Sequence, residues 1–264
     1  MYSAMRVGIV HFKAFPGIEI GAGPIVETLE KICADEFWTA VEVGWMKDYC
    51  VRNTARHLLD QSHLSVAYAT QPKSLTNKLN LNHFDPGERA KAVQEIKSAV
   101  DEARQLGAEV VRLIAGKDPG DAKREEAKKF LIDSLHQILD YAAEEKDGLA
   151  FTLRIFDRGI NKKNLIGPVG DAVDIARAIR PDYPHFGLLT DLSHFPLLDG
   201  TPGESIPQMP EFLDAVHLGN FDKPVRPVVS AEVRPVLAGE VSEVIMANAK
   251  RVIRDAWALS QRPD

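Results

Sequence analysis

Cysteine is nearly absent. Cys33 and Cys50 are the only two in 264 residues, too few for a disulfide framework and not in a Cys-x-x-Cys spacing. Both fall in segments with a helical pattern, where buried free thiols are expected. No apolar run reaches the roughly 20 residues that span a bilayer. The opening MYSAMRVGIVHF lacks the charged, apolar and cleavage regions of an export signal. No membrane segment and a cytoplasmic location are therefore the expectation. Basic charge is not in excess either: the net charge is -6 and the isoelectric point about 5.8, which argues against a nucleic-acid-binding face. No Gly-x-Gly-x-x-Gly turn follows the first strand candidate, so the dinucleotide fingerprint of an open doubly wound sheet is missing.

What the chain does have is alternation. Short β-branched runs recur as RVGIVHF, TAVEVGW, LSVAYAT, AEVVRLIAG, LAFTLRIFD, HFGLLTDL, AVHLGN and VVSAEVRP, which is how strands buried on both faces read. Amphipathic stretches separate them over 24–35, 48–61, 85–107, 121–146, 169–180 and 241–260. The third has the clearest punctuation: Asp85 suits the N-cap, Pro86 the first turn and Glu88 a capping box, and Gly107 ends the helix. Eight strands alternating with helices predict a (β/α)8 TIM barrel forming one domain over 1–264. One connection is too short. Phe221 to Pro227 has two prolines and no helical pattern, whereas a crossover between parallel neighbours needs a dozen or more residues. The helix between strands 7 and 8 is therefore expected to be missing, with a second copy of the chain covering the gap in a homo-oligomer.

In this architecture the C-terminal ends of the strands carry the chemistry. Asp191, His217 and Glu232 fall at three successive strand ends. Carboxylates with an imidazole suit a divalent metal (Mn, Mg, Co or Zn), or they serve as acid and base. Arg154 falls at the end of the preceding strand. A guanidinium has no acceptor and stays charged, so it neither ligates a metal nor removes a proton. It can instead occupy the place a metal would take. His194 lies above Asp191 and is expected to contact substrate hydroxyls. His11, Glu42 and Trp45, at the ends of the first two strands, are expected to line the pocket, Trp45 facing a sugar ring.

The pieces FDRGINKKNLIGP, FGLLTDLSHFPLL, AVHLGN and AEVRPVLAGE, taken together, resemble the xylose isomerase-like barrel superfamily, specifically its sugar (phosphate) isomerase/epimerase branch. The resemblance implies a metal held by Glu, Asp, His and Glu, with Asp191, His217 and Glu232 as three of the ligands and His194 on the substrate. It also implies a small ketose or related hydroxy-carbonyl substrate and an enediolate intermediate. Relatives carry glutamate where this chain has Arg154. Glu232 then remains as the base, with Arg154 stabilising the enediolate charge. The alternatives are a non-catalytic binding homologue and a lyase using the same enolate chemistry. An apurinic-site endonuclease needs more His and carboxylate ligands and a basic groove, and the sequence supplies neither.

Overall fold

The computed structural model describes residues 6–159, 162–197 and 201–218, together with 246–247, 249–251, 253–255 and 258. Seven strands are described: β1 Gly8–Val10, β2 Ala40–Val43, β3 Ser65–Ala69, β4 Val110–Ile114, β5 Ala150–Arg154, β6 Phe186–Asp191 and β7 Leu213–His217. All are parallel, and each pairs only with its neighbours in sequence. An open doubly wound sheet reverses strand order at a switch point; this order never reverses. The seven strands form the curled parallel sheet of a TIM barrel. VVSAEVRP, the expected eighth strand, lies outside the described residues, as do Glu232 and the connection from Phe221 to Pro227.

Helices alternate with the strands. They are α1 His11–Ala14, α2 Ile25–Cys33, α3 Tyr49–Asp60, α4 Gln71–Thr76, α5 Pro86–Gln105, α6 Arg124–Ala143, α7 Val169–Ile179 and the short α8 Pro202–Ser205. Local chemistry sets several of their ends. The Asp85 carboxylate accepts from the Glu88 N–H at 2.9 Å and starts α5. Asp48 does the same for α3, accepting from Cys50 N at 2.7 Å. Gly107 follows α5 with φ of +72°, a left-handed conformation that costs glycine nothing. Two short helices were not expected. His11 starts α1 rather than ending β1, and Gln71 opens α4 where the sequence reads as loop. Cys33 is half-buried and Cys50 exposed, so the expectation of two buried thiols fails. Cys50 sits in the first turn of α3, on its solvent side.

Successive strand side chains alternate between the two faces of the sheet. On one face Leu113, Leu153 and Leu188 are fully buried and belong to the same core as Leu131, Leu135 and Ile179 of the helix layer. Removing any of these leucines should cost about 2–5 kcal/mol. The other face lines the barrel lumen, and there the register matters. Ile114 pairs with Arg154, Arg154 with Leu189, and Asp191 with His217, so Arg154, Asp191 and His217 look inward at the C-terminal ends. Lower down, the inward positions carry small residues such as Gly8, Ala40 and Ala67. A cavity of about 680 Å³ occupies this lower lumen, with Glu42, Arg112 and His217 in its wall.

Candidate active site

Two charged clusters stand in the lumen, one at its C-terminal end and one in the wall of the cavity. The first is built around Arg154. Its guanidinium donates to Asp191 Oδ2 at 2.5 Å and to Gln71 Oε1 at 2.8 Å, so one side chain of β5 ties β6 to the start of α4. Its Cζ lies 4.6 Å from the centroid of the Phe156 ring. Arg154 is 2% exposed and Asp191 1%; this pair is out of water. The other Asp191 oxygen, Oδ1, accepts from the Ser193 N–H at 3.0 Å and the Ser193 hydroxyl at 2.6 Å. The His194 ring lies T-shaped to Phe156, with centroids 5.0 Å apart. Its Nδ1 lies 3.1 Å from Asp157 Oδ1 and its Nε2 3.7 Å from Asp191 Oδ2. Asp157 in turn accepts from the Lys162 N–H at 2.9 Å.

The second cluster centres on Glu42. His217 Nε2 lies 3.0 Å and Arg112 Nε 2.8 Å from the same Glu42 oxygen. Both contacts are at ion-pair distance. Burial works to raise the Glu42 pKa, but the charges of His217, Arg112 and Arg154 outweigh it and hold the carboxyl below its ordinary range. Glu42 is therefore an anion at neutral pH. His217, expected as a metal ligand, has its Nε2 turned toward Glu42.

The remaining expected residues are placed as follows. His11 is enclosed: Nε2 lies 2.8 Å from the Thr28 hydroxyl. That hydroxyl donates to the Pro24 carbonyl at 2.6 Å, so the imidazole is the donor and carries its proton on Nε2. Burial drives the His11 pKa down to about 3. Trp45 is half-buried at the mouth; its indole N–H donates to the Glu19 carbonyl at 2.8 Å, and the Lys47 ammonium covers the ring at 4.8 Å. The loop bearing Trp45 is anchored from below, because the Met46 N–H donates to the buried Glu102 carboxylate at 2.5 Å. Glu232 lies outside the described residues. Gln71, Arg112, Phe156 and Asp157 complete the clusters without having been given a role from sequence. Alternation along VVRLI does place Arg112 on the lumen face, and that was the available signal. Nothing in the sequence pairs Asp157 with His194.

The described donors do not fit a divalent ion. Among the described residues no group of three His, Cys, Asp or Glu side chains is arranged to hold one. Both Asp191 oxygens already accept hydrogen bonds, and His217 Nε2 faces Glu42. A dication about 2.1 Å from Asp191 Oδ2 would lie within about 4.6 Å of the guanidinium nitrogen. At an effective dielectric of about 20, a double against a single positive charge at that range repels by about 7 kcal/mol. No described helix is long and apolar enough to cross a membrane.

Known proteins share this architecture. D-psicose 3-epimerase from Clostridium cellulolyticum H10, solved with D-tagatose, superposes with a TM-score of 0.70 at 15% identity, over 96% of this chain and 99% of that one. The IolI protein, solved with a binding zinc atom, gives 0.71 at 16% identity over 95% and 97%. A family 2 AP endonuclease from Brucella melitensis gives 0.64 at 16% identity over 94% and 89%. At such identities the likeness establishes the fold alone. No curated protein matches the sequence significantly. A sequence model of the family described as xylose isomerase-like TIM barrel matches residues 34–240, most of the chain, and the chain therefore belongs to the xylose isomerase-like TIM barrel family.

Proposed function

We propose that the protein is a sugar isomerase/epimerase-like enzyme formed by one barrel domain, acting at the C-terminal mouth on a small ketose or related hydroxy-carbonyl compound. One observation carries this reading: a buried, permanently charged guanidinium is paired with the inward carboxylate of Asp191, and such a group can stabilise a developing oxyanion. In the proposed step a base removes the proton on the carbon beside the carbonyl. The electron pair moves to the carbonyl oxygen, giving an enediolate; the same base then returns the proton to the former carbonyl carbon, while the adjacent hydroxyl passes its proton to the other oxygen and becomes the new carbonyl. We assign the base to Glu232 from its place in the AEVRP motif. Arg154 meets the enediolate charge, while His194, braced by Asp157, contacts a hydroxyl. D-Psicose 3-epimerase, named for its action on a ketose, shares the fold and supports the substrate class.

The test is proton exchange. The full chain is incubated in D2O with D-tagatose, D-allulose and D-fructose, with and without chelator, and followed by proton NMR. Deuterium should enter beside the carbonyl of at least one ketose in the presence of chelator, and Arg154→Met should slow it by tenfold or more. Absence of exchange with every ketose would overturn the enzymatic reading. A second reading has its own observation: Arg154 is satisfied internally by Asp191 and Gln71, as in a site locked for binding without turnover. A ketose that raises the melting temperature without exchanging its proton would select that reading.

A further inference from the structure

We infer that Arg154 is a tethered occupant of a cation site, so that the native mouth takes up no divalent metal until this side chain is removed. The inference does not depend on the sugar chemistry proposed above. It starts from the oxygens. Asp191 Oδ2 and Gln71 Oε1 converge on one guanidinium at 2.5 and 2.8 Å. Glu42, an inward carboxylate of β2, stands close enough to feel the same charge. His217 sits directly across from Asp191 in the register of β6 and β7. A carboxylate and an amide oxygen thus hold a buried positive charge inside a barrel, with a second carboxylate and an imidazole paired to each other in the same lumen. These are the donor types that hold manganese or zinc, and here they hold a side chain.

The physical consequence concerns what is left when the guanidinium goes. Asp191 is buried, and a buried carboxylate without a counter-charge is strongly unfavourable. In an Arg154→Ala protein it must take up a proton or a cation. In Arg154→Glu a third acid joins it and makes the cation the better solution, since two facing carboxylates cannot both stay charged unneutralised. Gln71 acts as a positioning residue in the native protein: by accepting from the second guanidinium nitrogen it helps hold Arg154 over the Phe156 ring.

The experiment measures metal on the full chain. Wild type, Arg154→Glu and Arg154→Ala are equilibrated separately with Zn²⁺ and Mn²⁺, freed of excess ion, and assayed for bound metal; circular dichroism confirms folding. Wild type should retain less than about 0.1 equivalent, and at least one variant about one equivalent. That uptake should fall at least tenfold when Asp191→Asn is added to the variant. A wild type that binds about one equivalent, and loses it on Asp191→Asn, overturns the inference. So do two folded variants that both take up none. Should neither variant fold, wild type still decides: Mn²⁺ that broadens the NMR signals of His217 and His194 refutes metal exclusion, and unchanged signals support it.

Discussion

His11 makes stability depend on pH with a sign and size that follow from its surroundings. Its ring is enclosed and donates to Thr28, and burial lowers its pKa from 6.5 to about 3. In the unfolded chain it binds a proton below pH 6.5; in the folded protein it does not until about pH 3. Across that window the unfolded state holds more protons, so stability falls as the pH falls. At pH 5.0 the difference is about 1.5 pH units below the unfolded value, or about 2 kcal/mol relative to pH 7.5. Below about pH 3 the loss levels off. Glu102 acts in the opposite sense: burial raises its pKa despite the Met46 N–H and nearby cations, so its contribution declines as pH rises above the ordinary glutamate range. The total pH profile therefore mixes both groups, and the comparison must be with a variant. His11→Gln keeps a donor for Thr28 and does not titrate. Urea unfolding of both proteins at pH 5.0, 6.0 and 7.5 isolates the histidine. The wild type should lose about 2 kcal/mol more than the variant between pH 7.5 and 5.0. Equal losses would show that His11 is protonated, or open to water, in the folded protein.

Three further outcomes follow from single side chains. A β-carbon at Gly116 would stand 1.7 Å from Asn80 Oδ1 and 2.7 Å from Asn82 Oδ1, and Asn82 is itself held by the Gly116 N–H. Gly116→Ala should cost about 2 kcal/mol or more in denaturant unfolding. Asp85→Ala removes the N-cap of α5 and should cost about 1 kcal/mol in the same assay. Glu42 is held below the ordinary glutamate range although burial opposes it. Its stabilisation is present above the unfolded pKa of 4.5 and lost as pH falls through the lower folded value, so Glu42→Gln should flatten the acid limb of the melting temperature below pH 4.5.

The strands and the long helices were legible because their signals are local. Asp48, Asp85 and Pro86 announce helix starts through their own backbone chemistry, and β-branched runs announce strands buried on both faces. The short helices α1 and α4 were missed because neither is long enough to show a period; Phe12 and Pro72 are both buried at the mouth, so tertiary packing decides these turns. The inward residues at the strand ends were legible by position, and Arg154 stood out because it contradicts its neighbours chemically. Their partners were not. Glu42 and His217 are 175 positions apart and meet only because the sheet curls, while Asp157, after β5, reaches His194 in the helical turn after β6. Contact across a lumen leaves no mark in spacing.

A metal bound from solution has an off-rate; the charge on β5 has none. It arrives with the polypeptide, orders itself as β5, β6 and α4 come together, and vanishes only when they part. The positive centre of this mouth is therefore insensitive to ion supply and to the acidity of its surroundings over any range in which the barrel stays folded.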